Sequence, residues 1–337
     1  MVKLSILDLV RVREGGTPLS ALEDSRSLAV HAESLGYGRF WVAEHHNMPG
    51  IASAATSVVI GYLAQATSRM RIGAGGIMLP NHAPIVIAEQ FGTLAQLYPG
   101  RIDLGLGRAP GTDQPTMRAL RRSLTNSDNF PQDVLELQAY FSAEQQAGQI
   151  QAVPAAGTDV PLWILGSSTY GAQLAAHLGL PYGFASHFAP DLLLDALAIY
   201  RSRFQLSAHC PRPYAMVGVN IIAADSDAEA RRLATTQQMS FADLLRGARR
   251  LSRPPISNIE DYWSPTEKAQ AQRMLARSIV GAPDTVQAGI SALVEETGAD
   301  ELMIVSDIYD LEARKRSLEI IANSRALHGN AKMLSEV

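Results

Sequence analysis

Strand-like and helix-like segments alternate eight times along this chain, and that rhythm restricts the fold more than any single motif does. The apolar runs Val2 to Val10, Arg39 to Ala43, Arg71 to Leu79, Arg101 to Gly107, Pro161 to Leu165, Tyr182 to Ala185, Tyr214 to Ala223 and Glu301 to Val305 read as strands. They are apolar nearly throughout, as strands covered on both faces are. Helical spacing fills the gaps: Pro18 to Leu35, Ser53 to Thr67, Pro84 to Leu97, a fourth helix before about residue 140, Tyr170 to Leu178, Pro190 to Leu206, Ser226 to Leu245 and Leu311 to Leu327. The first helix is expected to open on a capping box of Ser20 with Glu23 and to stop at Gly36. Eight such units imply a parallel sheet covered by helices and closed into a (β/α)8 TIM barrel. An open, doubly wound sheet would usually carry a glycine-rich dinucleotide turn after its first strand. Here that strand leads into Val10-Arg11-Val12-Arg13-Glu14-Gly15-Gly16, which lacks the G-x-G-x-x-G spacing.

At 337 residues the chain exceeds the roughly 250 of a minimal barrel, so the surplus is assigned to rim insertions on one domain spanning residues 1–337. The candidates are Pro110 to Pro131, Glu144 to Val160, and Arg249 to Arg277, where Arg253-Pro254-Pro255 and Trp263-Ser264-Pro265 break the periodicity. The last is expected to form a lid. With 47% hydrophobic and 18% charged residues the chain is globular, and no apolar run approaches the roughly 20 residues of a membrane span. The start of the chain shows no signal-peptide pattern, so a cytoplasmic location is expected. The net charge is −4 and the basic residues are dispersed, which gives no footprint for nucleic acid; Arg121-Arg122 and Arg249-Arg250 read as solvated helix faces. The lone Cys210 is expected to be inert.

Barrel enzymes work at the C-terminal ends of their strands. The second strand, Phe40-Trp41-Val42-Ala43, breaks off into Glu44-His45-His46-Asn47. Adjacent histidines on extended backbone point to opposite sides, and no Cys, His or carboxylate spacing elsewhere completes a set, so no metal is expected. The histidines could instead be a structural pair satisfied by hydrogen bonds. Gly105-Leu106-Gly107-Arg108 removes bulk just before a permanent cation, and Gly166-Ser167-Ser168 precedes a helix containing Gly171. Together they suit a phosphate, although a Ser-Ser pair before a helix is commonly a plain N-cap. Glycines inside a strand, as in Gly73-Ala74-Gly75-Gly76, mark either tight barrel packing or a flat ligand against the strand.

With these residues assembled, the chain resembles the bacterial luciferase-like flavin monooxygenases. The resemblance rests on Trp41 to His46, on Arg71-Ile72-Gly73-Ala74-Gly75-Gly76-Ile77-Met78-Leu79-Pro80 with Pro84 and Ala88-Glu89-Gln90, on Gly100 to Arg108, and on Val280 to Val286. It implies the same barrel and an FMN cofactor, reduced during turnover. The isoalloxazine would lie against Gly75, Gly76 and Met78, beside Gly107, with a cis peptide at Gly75-Gly76. Arg108, Gly166, Ser167, Ser168 and Gly171 would receive the phosphate. His45 matches a catalytic histidine, with Glu44 fixing its tautomer and His46 in support. Gly107 stands where luciferases carry a reactive cysteine, which argues for a non-luminous member. The implied reaction uses O2 and a flavin C4a-hydroperoxide to oxygenate a small organic substrate. Reduced flavin would come from a separate flavin reductase, and the resemblance suggests a homodimer. Two alternatives remain open at this stage: hydride transfer with a deazaflavin on the same fold, and flavin binding without catalysis.

Overall fold

The computed structural model describes residues 2–109, 113–122, 129–144 and 150–334, with side chains given as far as Ser324. The expected insertions at 110–131 and 144–160 therefore lie partly outside the described residues. The strands are β1 (Lys3–Asp8), β2 (Arg39–Val42), β3 (Arg71–Met78), β4 (Ile102–Gly107), β5 (Leu162–Gly166), β6 (Tyr182–Phe184), β7 (Ala215–Ala223), β8 (Ile279–Gly281) and β9 (Glu301–Val305). Parallel pairing runs β6-β5-β4-β3-β2-β1-β9-β7, and a β6–β7 pairing closes the ring. The eight barrel strands are those expected from the sequence, in a (β/α)8 barrel.

Around the barrel lie α1 (Pro18–Ser34), α2 (Thr56–Ala66), α3 (Pro84–Leu97), α4 (Gln114–Ala119), α5 (Phe130–Phe141), α6 (Thr169–Leu178), α7 (Leu193–Arg203), α8 (Asp227–Leu245), α9 (Pro265–Met274), α10 (Pro283–Thr297) and α11 (Leu311–Leu334). Three expectations are corrected. The capping box of α1 is Thr17 with Ser20, one turn earlier than Ser20 with Glu23, because Pro18 already occupies the first helical turn. The short strand β8 was not foreseen; it pairs with Ile221–Ala223, the end of β7 beyond its pairing with β9, and α10 follows it. Neither expected arginine pair lies on a helix face. Arg121 and Arg122 follow the end of α4, and Arg249 and Arg250 follow α8.

Successive strand residues alternate between the helix layer and the barrel interior. Leu4, Ile6, Phe40, Val42, Ile72, Ala74, Leu104 and Leu106 join the outer core. Leu7, Trp41, Ala43, Trp163, Met216, Met303 and Val305 fill the interior. Trp41 and Trp163 meet edge to face with centroids 5.3 Å apart. Strand β3 gives up side chains to admit Trp41 and Leu7: a Cβ on Gly73 would lie 2.8 Å from Trp41 Nε1, and one on Gly75 would lie 2.7 Å from Leu7 Cδ1. Barrel packing alone therefore accounts for the glycine run in β3.

Below the indoles, at the N-terminal ends of the strands, the interior is ionic. Arg39 bridges Asp103 and Glu301, Arg71 donates to Asp103 at 2.6 Å, and Tyr214 donates to Glu301 at 2.7 Å. Trp41 Nε1 also donates to Asp103, at 3.2 Å. Asp103 and Glu301 are 0% and 1% exposed, so neither charge is tolerable without its partners. Replacing Asp103 with Ala removes the carboxylate that Arg39, Arg71 and Trp41 share, and a loss of ~3–5 kcal/mol in chemical denaturation is expected. Replacing Glu229 with Ala, which breaks an exposed pair with Arg232, should cost no more than ~0.5 kcal/mol.

Candidate functional site

Above the indoles the barrel mouth opens into a cavity of about 600 Å³. Ten of the eleven site residues expected from the sequence line it: His45, Gly75, Gly76, Met78, Gly107, Arg108, Gly166, Ser167, Ser168 and Gly171. Glu44 does not. The Gly75–Gly76 peptide is cis, and Gly76 forms a bulge, since Gly75 pairs with Gly105 while Ile77 pairs with Leu106.

Glu44 turns away from the cavity and is 1% exposed. Its Oε1 lies 2.7 Å from His46 Nε2 and 2.9 Å from His82 Nε2, and its Oε2 accepts the Met78 N–H at 2.9 Å. Its own N–H donates to Gly76 O at 3.2 Å. Burial alone would raise its pKa, but hydrogen bonds from His46, His82 and the Met78 amide outweigh that and hold it at about 2. The expectation that Glu44 orients His45 is thus corrected. Alternation sends Glu44 and His46 to the side away from His45, and Glu44 pins the bend in β3 instead. His82 completes a group with Glu44 and His46 whose ligand atoms lie within 4.8 Å of one another, which sequence spacing missed. The Glu44 carboxylate oxygen sits within hydrogen-bond distance of both rings. The group serves as a hydrogen-bond hub. The Glu44 bond raises the pKa of His46, against the lowering effect of its burial.

His45 faces the cavity with Nδ1 buried and without a hydrogen-bond partner among the described residues. Burial pushes its pKa down to about 4, with the Arg11 charge acting in the same direction against Glu44 and the Ala43 carbonyl. It is therefore neutral at physiological pH, and a weaker base than one poised near 7. His187, after β6, also lines the cavity and is likewise lowered to about 4 by burial and by the neighbouring His45. The sequence placed His187 at a strand end without a motif to interpret it. Arg11, Asp307, Tyr170 and the α8 residues Gln237, Ser240, Phe241 and Leu244 were missed altogether. Their only signal was position just beyond a strand, and for the α8 residues there was none.

At the β4–β5 side, the Arg108 guanidinium stacks 4.0 Å from the centre of the Tyr170 ring. Ser168 occupies the N-cap position of α6, yet its side chain makes no capping bond. The plain-cap reading does not describe it. Arg108, the two serine hydroxyls and the start of a ten-residue helix thus share one end of the cavity. A Cβ on Gly171 would meet its nearest neighbour, Tyr182 Cε2, at an ordinary 3.4 Å, so packing does not require glycine there.

Among the described residues, none of Arg249 to Arg277 lines the cavity; α8 does. Arg249 instead pairs with Asp113 and donates to Asn47 O at 3.1 Å, which ties the segment to the loop that follows Glu44, His45 and His46.

The two lowered imidazoles set a pH dependence. Their folded pKa values lie below the ordinary 6.5, so the unfolded chain takes up protons that the folded one refuses, and stability falls as pH drops from about 6.5 towards 4. Glu44, depressed from 4.5 to about 2, adds a further loss between those values. His46 acts oppositely, its contribution being lost as pH rises through its raised value. Calorimetry at pH 5 should show proton uptake on unfolding reduced by about one proton for each of His45→Asn and His187→Asn.

The luciferase-like monooxygenase family matches residues 2–301 of this chain. A protein of Escherichia coli (strain K12) described as a luciferase-like monooxygenase is 53% identical over 320 residues, covering 95% of this chain and 96% of that protein. The crystal structure of apo-MsnO8 superimposes with a TM-score of 0.89 at 36% identity, covering 97% of this chain and 99% of that one. Two more distant structures share the fold. The oxygenating constituent of 3,6-diketocamphane monooxygenase from Pseudomonas putida, in complex with FMN, has a TM-score of 0.72 at 18% identity, covering 95% of this chain and 96% of that one. An F420-dependent secondary alcohol dehydrogenase has a TM-score of 0.69 at 16% identity, covering 96% of this chain and 98% of that one. Sequence, fold and cavity agree, and the chain belongs to the luciferase-like monooxygenases, as an enzyme of that flavin-dependent family.

Proposed function

We propose that this enzyme binds FMN, reduced during turnover, and uses it with O2 to oxygenate a small organic substrate. The observation that carries this reading is one cavity with a phosphate-suited end and a side-chain-free wall leading away from it. Arg108 and the hydroxyls of Ser167 and Ser168 would hold the phosphate. The isoalloxazine would lie along Gly75, Gly76 and Gly107, where a Cβ on Gly107 would come within 3.0 Å of Met78 Sδ. Reduced flavin supplies the electrons that activate dioxygen, one oxygen atom passing to the substrate and the other leaving as water.

The chain's own residues perform the rest. Glu44 holds the Met78 amide and the Gly76 carbonyl, so the wall is set before any ligand arrives. The apolar lining of Leu7, Met216, Met303 and Phe241 excludes water. His45, neutral at its cavity-facing ring, can accept a proton there and return it. Arg249 ties the start of the 249–277 segment to the β2 loop through Asn47, the contact on which its reading as a lid rests. The absence of a nicotinamide fingerprint favours a separate reductase, and the family resemblance favours a homodimer.

Spectral titration with oxidised and reduced FMN, followed by O2 and product analysis with a panel of small substrates, tests this reading. Arg108→Met is expected to weaken FMN binding by ~1.5–3 kcal/mol, roughly ten- to hundredfold, with little effect on riboflavin, which lacks the phosphate. His45→Ala should lower oxygenation at saturating reduced FMN by roughly 10²- to 10⁴-fold. No spectral change with either form of FMN would refute the proposal. Turnover without oxygen on a reduced deazaflavin would replace it with hydride transfer.

A further inference from the structure

The phosphate-suited end leaves half of the cavity mouth unexplained. In the ring of strands β1 stands opposite β5, and β9 opposite β4, so Arg11 and Asp307 lie across the mouth from Ser167, Ser168 and Arg108. The chain reaches Arg11 through Val10, a buried β-branched residue held at φ +49°, where such residues are outliers. Asp8 Oδ1 accepts the Val10 N–H at 3.1 Å, the Val10 carbonyl accepts from Ala52, and Arg314 anchors Asp8 at 3.0 Å. This costly turn fixes where Arg11 stands. One arm of its guanidinium, Nη2, is bound to Asp307 at 2.7 Å. Its Nε–H is buried with no partner among the described residues.

His187 is built in with similar care. Its carbonyl accepts from Asn220 Nδ2 at 2.5 Å, and Asn220 in turn accepts from Gln237 at 2.8 Å. Its ring rests on Gly218, where a Cβ would lie 2.6 Å from Nδ1. That Nδ1 is buried and, among the described residues, unpartnered. A stranded N–H is rarer than a stranded acceptor, which favours the tautomer with the proton on Nε2, the ring nitrogen farther from Gly218. Arg11 and Asp307 cancel in charge. The pole therefore offers N–H donors without net charge, and a carboxylate brought there would be a desolvated anion with no counterion of its own.

We infer that the substrate carries an uncharged hydrogen-bond acceptor, an amide or ester carbonyl, gripped by Arg11 Nε and His187 Nε2, with an apolar chain lying towards Phe188, Phe241 and Leu244. This builds on the reading of the cavity as the substrate pocket of a flavin-dependent oxygenase. It adds what that substrate must present. The remaining donors are satisfied only by an acceptor, and a neutral one leaves the Arg11–Asp307 balance undisturbed.

Calorimetric titration at pH 7.5 with N-octylacetamide and with decanoate, matched in heavy-atom count, tests the inference on the wild type, Arg11→Lys and Gly218→Ala. Lysine keeps the charge opposite Asp307 but loses the Nε donor, and the methyl group added by Gly218→Ala would displace the His187 ring. The amide should bind the wild type roughly tenfold more tightly than decanoate, and each folded variant should lose roughly five- to tenfold for the amide with decanoate little changed. Equal or tighter decanoate binding, amide binding unaffected in both variants, or no binding of either probe would overturn it. A parallel FMN titration separates the two readings: failure to bind FMN with the amide preference intact would remove the flavin assignment alone.

Discussion

The interior of an eight-stranded barrel has to be filled by side chains from alternate residues, and here two tryptophans occupy its middle. The volume of Trp41 is admitted because β3 carries glycine at Gly73 and Gly75, where other strands carry side chains. Trp41, with Leu7, Leu165 and Met303, also lines the cavity that opens beyond the packed interior. A glycine pattern that looks like a ligand-binding signal is thus first a packing requirement. Its contribution to ligand binding follows as a by-product, because the stretch of β3 that yields to Trp41 continues upward as a bare wall.

Two sets of buried ionic groups hold this arrangement, and they act on different parts of it. The Arg39–Asp103–Glu301 network closes the lower end and ties β2, β4 and β9 to one another, so it concerns the barrel as a whole. The Glu44 hub is local. By taking the Met78 amide and giving its own to Gly76, Glu44 fastens β2 to the bulge of β3. It stabilises the wall that a flavin would face without touching the cavity itself. His45 is left free of that hub, neutral, and open to whatever occupies the mouth.

The mouth divides chemically along the strand order. Cationic and hydroxyl groups collect after β4 and β5, while a charge-balanced set of N–H donors collects after β1, β6 and β9. Apolar residues from the strands and from α8 separate them. An elongated cofactor at one pole and a compact amphiphilic substrate at the other would use both ends of this cavity, with the imidazole of His45 on the wall between.

The alternation of apolar runs and helical periods pointed to a parallel sheet covered on both faces, and the count of eight units without a dinucleotide turn favoured the closed (β/α)8 barrel over an open sheet. Strand-end position together with the family resemblance pointed to ten residues that line the cavity, since a barrel delivers its strand ends to one rim. What only the tertiary structure decided was partnership. Glu44 and His45 are neighbours in sequence, yet the period of two separates them, and the carboxylate finds His82 thirty-eight residues away. The contribution of α8 to the cavity was equally hidden, because a helix face reads as apolar or polar whichever surface it meets. Arg11 and His187 acquired meaning only once their stranded nitrogens could be seen, for a sequence records donors and acceptors but not which of them folding leaves without a partner.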